Sequence, residues 1–162
     1  MHFIRAIAVA TCLIAPMSLA AQSTQIALGG ISADPTAPVE ITAENLTVDQ
    51  DTRSAVFAGN VVIGQGDMRI AAANVRVAYS DATGQVAQLL ATGGVTFVTA
   101  TEAAEAETAD YDLTTGLLTL RGNVLLTQGP SAMSAGQMIV DLKAGTAQMQ
   151  GGVRTVFNQG GN

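Results

Sequence analysis

A short glycine-containing triplet recurs four times in the 162-residue chain, and this repetition limits the possible folds more than any other feature. Successive triplets are 34, 29 and 29 residues apart, and an Asp precedes each by ten residues, or by twelve in the second copy. Units of about thirty residues cannot bury an apolar face alone, so stacked copies share one continuous interior. The triplets are Gly59-Asn60-Val61, Gly93-Gly94-Val95, Gly122-Asn123-Val124 and Gly151-Gly152-Val153.

Apolar and polar side chains alternate around the first and third triplets. These two copies align at an offset of 63 residues, which places Phe57 on Leu120 and Val61 on Val124. Alternation with period two is typical of a strand that turns one face toward a core. Residues 102–109 are the one segment where a helix is conceivable, although their register with the other copies favours strand and loop.

Hairpin corners are predicted where an Asp is followed closely by a Gly. The segments Asp81–Gly84, Asp112–Gly116 and Asp141–Gly145 have this form, and Asp49–Arg53 is a further turn. Asp favours the start of a turn and Gly permits positive φ. The sequence therefore predicts an all-β protein, a jelly roll of stacked antiparallel strands that is open at both ends.

The first twenty residues have the features of a cleavable signal peptide. Arg5 supplies a positive charge, residues 6–15 are apolar or small, and Ser18-Leu19-Ala20 offers small residues at the cleavage position. The apolar stretch is shorter than the roughly 20 residues that a spanning helix needs. The predicted organisation is a signal peptide over residues 1–20, a lead-in over 21–38, a β-domain over 39–157 and a tail over 158–162.

Charge argues against nucleic acid as a partner. Without the leader the chain has six basic and thirteen acidic side chains, a formal net charge of −7. Binding to nucleic acid depends on many Lys and Arg contacts to phosphate. The six basic residues are instead scattered along the chain: Arg53, Arg69, Arg76, Arg121, Lys143 and Arg154.

Catalysis and metal binding also find little support. No His or Cys follows residue 20, so the usual general base and thiolate nucleophile are missing from the mature chain. The segment Asp49-Gln50-Asp51 begins like a calcium loop, but Arg53 occupies the fifth position. We interpret the remaining carboxylate pairs as solvated surface groups, and expect neither enzyme activity, a cofactor nor a metal. These pairs are Asp49 with Asp51, Asp110 with Asp112, and Glu105 with Glu107.

Three segments of the chain resemble a known family. Residues 38–49 are similar to the first strand of LptA/OstA-like lipopolysaccharide-transport proteins, and residues 55–67 resemble the most recognisable segment of that family. The stretch 118–128 repeats the second pattern. The resemblance covers roughly residues 38–157 and implies a twisted, V-shaped β-jelly roll in the periplasm.

The resemblance implies a bridge that carries lipopolysaccharide from the inner to the outer membrane, with the acyl chains in an apolar interior. It also implies an LptC-like partner at the N-terminal edge, and an LptD-like domain or a further copy at the C-terminal edge, giving head-to-tail self-association. Few aromatic rings occur among the inward positions, which favours room for a long apolar guest. The predicted lipid-lining residues are Ala55, Phe57, Val61, Ile63, Val77, Leu120, Val124, Leu126 and Val140.

Two alternatives stay open. One is an LptC-like component of the same fold that keeps a membrane-anchored N-terminus. The other is a structural β-stack that associates with itself and carries no lipid, because alternating Val and Leu more often form an ordinary core than a ligand groove.

Overall fold

The chain forms one continuous antiparallel sheet that folds over on itself. The computed structural model describes residues 24–27, 34 and 37–157, so the predicted leader (residues 1–20) and tail (158–162) lie outside the described part. The described residues contain no helix, and the expected all-β fold is confirmed. The strands are β1 (Thr24–Ala27), β2 (Glu40–Thr42), β3 (Asn45–Asp49), β4 (Ser54–Gln65), β5 (Met68–Tyr79), β6 (Val86–Val98), β7 (Glu102–Asp112), β8 (Leu117–Gln128), β9 (Ser131–Asp141), β10 (Thr146–Gln150) and β11 (Arg154–Val156).

The order of the strands in the sheet follows the chain from β2 to β10. The path runs β1-β10-β9-β8-β7-β6-β5-β4-β2, while β3 also pairs with β4 and β11 also pairs with β9. Strands β2 and β3 pair with the two halves of β4, and β10 and β11 pair with the two halves of β9. Each end of the stack therefore presents two short strands where the middle has one long strand.

The Gly-X positions of the first three triplets are bends in β4, β6 and β8, and they divide these strands between two layers. Between Ala58 and Val61 of β4 the ladder advances three residues, while its partner β5 advances only two, from Asn74 to Ala72. An extra residue of this kind is a β-bulge, which bends the strand sharply. The same three-against-two count occurs on β6 and β8. We call the half that contains β3 and β10 layer A and the half that contains β2 and β11 layer B.

A glycine and a carboxylate meet at two of these bends. Gly122 has φ +84°, and a Cβ added there would lie 2.5 Å from Glu107 Oε2 and 2.8 Å from Glu107 Cβ. The Glu107 side chain is held in place because its Oε1 accepts a hydrogen bond of 2.7 Å from Asn123 Nδ2. Gly59, Asn60 and Glu44 repeat this arrangement 63 residues earlier. The offset found in the sequence thus reproduces a specific side-chain contact.

Asp residues close three of the four turns at the end of layer A. Asp112 Oδ1 accepts hydrogen bonds from the backbone N–H groups of Thr114 and Thr115. The bond from Thr115 is the main reason that the pKa of Asp112 lies below its usual value. The stabilisation that this carboxylate gives is present above its ordinary pKa and is lost as the pH falls through the lowered one. Asp49 and Asp141 accept equivalent pairs of bonds.

The second turn departs from the prediction. Ser80, not Asp81, begins it, because Ser80 O accepts the bond from Gly84 N at 2.8 Å. Asp81 instead accepts a bond of 2.6 Å from the guanidinium of Arg53. The spacing from Ser80 to Gly84 then equals that from Asp112 to Gly116. The turn is regular, but a serine takes the place that the sequence pattern assigned to an aspartate.

Replacing Gly122 by Ala tests the bend. A positive φ alone costs an L-residue about 1–2 kcal/mol, and the overlap with Glu107 raises the expected loss of unfolding free energy to about 2–3 kcal/mol. Urea denaturation followed by circular dichroism measures it. Gly129→Ala is the matched control, because Gly129 has φ +53° and nothing within 4 Å of an added Cβ; it should lose only the conformational part. Equal losses for the two variants would mean that the contact with Glu107 is unimportant.

Candidate functional site: the apolar interior and its two ends

The inward side chains of both layers form a single apolar interior. Alternate residues along each half-strand point into it, as the period-two pattern predicts. On β4, β6 and β8 the inward positions keep the same parity across the bend, as Ala55 and Val61 do. On β5, β7 and β9 the parity changes, as between Ala72 and Val75. The bulges therefore allow both halves of every strand to face one core.

The predicted lipid-lining residues lie together on this interior. Eight of them are buried: Ala55, Val61, Ile63, Val77, Leu120, Val124, Leu126 and Val140. Phe57 is half-buried and packs against the same cluster. These positions place the nine side chains in the interior, whereas contact with lipid stays a prediction.

Methionine is an interior component to which the sequence analysis assigned no site role. Met68 and Met133 lie in layer B, Met138 and Met149 lie in layer A, and all four are buried. A methionine side chain is unbranched and fills irregular gaps, so a core rich in it can repack around a guest. In the sequence, three of them lie two residues from another apolar residue, which is the spacing of inward positions on a strand. These pairs are Met133 with Ala135, Met138 with Val140, and Met149 with Ala147.

The interior is closed in this structure. Ile63, Phe97 and Leu118 have no exposed surface, because side chains from the facing layers fill the space between them. The expected room for a long guest is therefore not an empty channel here. A lipid chain could enter only where side chains move aside or the two layers separate.

One buried hydrogen bond ties the two layers together away from the bends. The Tyr111 hydroxyl, at the end of β7 in layer A, donates to Gln65 Oε1 at the end of β4 in layer B, at 2.7 Å. Gln65 Nε2 donates in turn to the carbonyl of Ala37 at 3.1 Å. Both side chains lie at the ends of their half-strands farthest from the bends. The bond therefore joins the free margins of the layers, where a folded sheet would open.

Burial gives this bond a pH dependence. Desolvation of the phenolate raises the pKa of the Tyr111 phenol above its usual value. The neutral phenol is thus the form that the fold favours. Its contribution is present below the ordinary tyrosine pKa of about 10 and is lost as the pH rises through the raised value.

The N-terminal end of the interior is uncapped in layer A. Leu46 and Val48 of β3 lie opposite Phe57 and Ala55 in the ladder, so they share the inward face. They are nevertheless 55% and 62% exposed. Among the described residues β3 has no neighbour beyond β4, so the apolar face ends at water. We call Leu46 and Val48 the N-terminal mouth.

At the C-terminal end the two layers differ. In layer B, β11 is an edge strand whose one described neighbour is β9, and Phe157 beside it is 72% exposed. In layer A, β10 is covered by β1, which pairs with it over Thr24–Ala27. The predicted domain began at residue 39, and the sequence analysis did not anticipate this pairing.

The acidic groups have structural partners. Glu102 is buried on β7, the segment for which a helix was conceivable, and its carboxylate accepts bonds from Thr99 and Thr101. Asp110 accepts a hydrogen bond from Gln88.

Among the described residues no three His, Cys, Asp or Glu side chains are grouped closely enough to hold a metal ion. Nor does that part of the chain contain a helix with the length and apolarity to cross a bilayer.

A bent antiparallel sheet with an apolar interior and exposed ends defines the class of open β-jelly rolls. The family described as LptA/(LptD N-terminal domain) LPS transport protein matches residues 40–146. Since the match covers more than half of the chain, this protein belongs to that lipopolysaccharide-transport family. The resemblance found in the sequence is confirmed.

Two individual proteins are similar to the chain. An uncharacterized protein of Rhizobium meliloti (strain 1021) is 28% identical over 145 residues, covering 85% of this chain and 77% of that protein. The crystal structure of LptH, the LptA homologous periplasmic component of the lipopolysaccharide transport device from Pseudomonas aeruginosa, matches with a TM-score of 0.69 at 15% identity. That match covers 78% of this chain and 99% of LptH. It shows the fold, and the predicted OstA-like β-jelly roll is confirmed.

Replacing Tyr111 by Phe tests the bond between the layers. The variant leaves Gln65 Oε1 buried without its donor, so we expect a loss of about 1–3 kcal/mol in unfolding free energy. Chemical denaturation near pH 7 measures it. Tyr79→Phe is the control, since Tyr79 lies at the surface with 38% of its area exposed. Its unfolding free energy should change by less than about 0.5 kcal/mol. A Tyr111→Phe variant as stable as this control would show that the bond does not hold the layers.

Proposed function

We propose that this protein is a periplasmic bridge component that carries lipopolysaccharide from the inner to the outer membrane, with the acyl chains in the apolar interior. The observation that carries the proposal is the continuity of the interior with the N-terminal mouth, where Leu46 and Val48 lie exposed. An ordinary core ends beneath polar or capping residues. Here the apolar face continues to the edge of the molecule, as a path for an apolar guest requires.

Acyl chains supply enough free energy to enter a closed interior. Burial of apolar groups is worth about 0.8 kcal/mol per methylene, so a chain of about twelve carbons could gain roughly 9 kcal/mol. Opening the margin costs the bond between Tyr111 and Gln65 and some side-chain contacts. The four buried methionines allow the remaining core to repack around the guest. Release of the lipid to the next component requires that the acyl chains stay partly exposed, so that less than this full free energy of burial is gained.

The ends supply the surfaces for assembly. Among the described residues, one edge of β2 and of β3 at the N-terminal end, and one edge of β11 at the C-terminal end, have no neighbouring strand, so they leave backbone groups available for pairing. Addition of a strand from another sheet would satisfy these groups and align two interiors. We assign an LptC-like partner to the N-terminal edge, and an LptD-like domain or a further copy to the C-terminal edge. Unlike edges joined repeatedly give an open head-to-tail filament.

Two other functions differ from this one in a single property each. An LptC-like component would keep its N-terminal segment in the inner membrane, whereas the bridge protein would lose residues 1–20. A structural β-stack would use the same edges without taking up lipid. The bridge protein and the LptC-like component both require that lipid reach the interior, whereas the structural β-stack does not.

Photo-crosslinking from the interior tests lipid carriage. A benzophenone amino acid at Phe57, which faces the core near the mouth, should form an adduct with lipopolysaccharide in cells that produce it. The same group at Val62, on the outer face of the same strand, is the matched control and should form little or none. Adducts are detected as mass-shifted bands with an antibody to lipid A. Equal labelling at both positions, or none at Phe57 in a folded protein, would favour the structural β-stack.

Charge at the mouth tests assembly. The double change Leu46→Glu and Val48→Glu removes two apolar contacts from the N-terminal edge, so self-association should weaken at least about tenfold. Sedimentation velocity over a wide concentration range measures it. Leu90→Glu is the control, because Leu90 is similarly apolar and 39% exposed, but lies in the middle of the sheet on β6. Unchanged association of the double variant would exclude this edge.

A further inference from the structure

Strand β1 pairs with β10 at the edge where a second copy would bind in the proposed assembly. Its four residues pair with β10 in register from Thr24 opposite Met149 to Ala27 opposite Thr146. The pairing is antiparallel and lies at the C-terminal edge of layer A, the opposite end of the sheet from β2, which follows β1 in the described chain. Strand β1 thus covers the C-terminal edge of the sheet, whereas β2 and β3, which follow it in the chain, form the N-terminal edge.

A second copy would place β3 at this same position. In the proposed head-to-tail arrangement, β2 of the following copy continues layer B beyond β11, and its β3 continues layer A beyond β10. The strands alternate in direction through the stack, and β3 runs antiparallel to β4. It would therefore run antiparallel to β10, the direction that β1 already takes. Both strands cannot pair with the same edge of β10.

The number of residues between β1 and β2 limits how easily β1 can reach β10 of its own molecule. Thirteen peptide steps separate Ala27 from Glu40, a reach of at most about 43–47 Å. Eight gaps separate β1 from β2 in the strand order, about 38 Å at 4.8 Å per gap. The chain is long enough for β1 to pair with β10 of its own molecule, but with only a small margin.

We propose that β1 is an intramolecular strand that blocks the layer A edge of β10 and is displaced by β3 of a second copy during head-to-tail assembly. The inference rests on the proposed assembly. Displacement is favoured because β3 has five residues that could pair with the five of β10, whereas β1 has four. It also brings Leu46 and Val48 out of water. The bare edge of β11 supplies the first contact, from which the exchange proceeds.

A disulfide lock tests the inference directly. The chain without residues 1–20 has no cysteine, so a pair introduced by Gln25→Cys and Gln148→Cys, which are Cα partners, joins β1 to β10 specifically. The matched control joins β8 to β9 through Thr119→Cys and Ile139→Cys, also Cα partners, and leaves both edges unaltered. Mass spectrometry reports whether the bond forms in dilute monomer, and sedimentation reports self-association with and without reductant.

We expect the β1–β10 lock to form in the monomer and the oxidised protein to stay monomeric at concentrations where its reduced form associates. The control should associate equally in both states. Ile26→Pro, which removes a backbone donor from β1, should lower the concentration needed for association. The inference is overturned, with assembly intact, if the lock does not form within the monomer or if the oxidised and reduced proteins associate alike. Absence of association in every form, the control included, would overturn the assembly as well.

Discussion

The bend at each Gly-X position is the constraint on which the rest of the molecule depends. Because β4, β6 and β8 each use one extra residue there, a single strand contributes to two layers and turns the same face inward in both. Backbone continuity therefore joins the layers along one side, and no separate connection is needed. At the opposite margin none of the described strands passes from one layer to the other, and side chains, among them Tyr111 and Gln65, join the layers there. A sheet built in this way is rigid along its bends and weakest at the margin where a long guest would enter.

The closed interior and the proposed cargo are compatible for the same reason. Interiors of folded proteins are close-packed, and a permanently empty apolar slot would lose contacts along its whole length. Filling the slot with Met, Val and Leu side chains stabilises the carrier without cargo. In the proposed function, these side chains would replace contacts with one another by contacts with acyl methylenes, so that loading substitutes one apolar contact for another. The polar bond between Tyr111 and Gln65 differs, because opening it exposes a donor and an acceptor that water can then satisfy.

Local patterns allowed much of this structure to be predicted, and the missing parts are those set by long-range pairing. The alternation around Val61 and Val124 predicted the inward faces, since period two is a local property. The repeat at an offset of 63 indicated that Gly59 and Gly122 are equivalent positions, but it predicted neither the bends there nor the carboxylates behind them. The change of parity on β5, near Ala72, has no glycine to mark it, and the pairing of β1 with β10 joins segments more than a hundred residues apart. The use of Ser80 at the second turn was missed because Asp81 beside it matched the pattern better.

The two ends of the sheet are unequal, and this inequality bears on how such a protein avoids uncontrolled aggregation. Unpaired strands with apolar neighbours are templates for other chains, and natural proteins usually blunt them with charge, proline or cover. In the described part of the chain no strand covers the N-terminal mouth, whereas β1 covers the layer A half of the C-terminal edge. In the proposed assembly, a contact between two copies would begin on β11, whose three residues pair with β9. Completion of the two-layer contact would require that β1 leave β10 of its own molecule. On this proposal, an exchange of strands would limit growth of the stack. It would favour partners that have the full two-layer edge of this fold over a chain that offers a single extended segment.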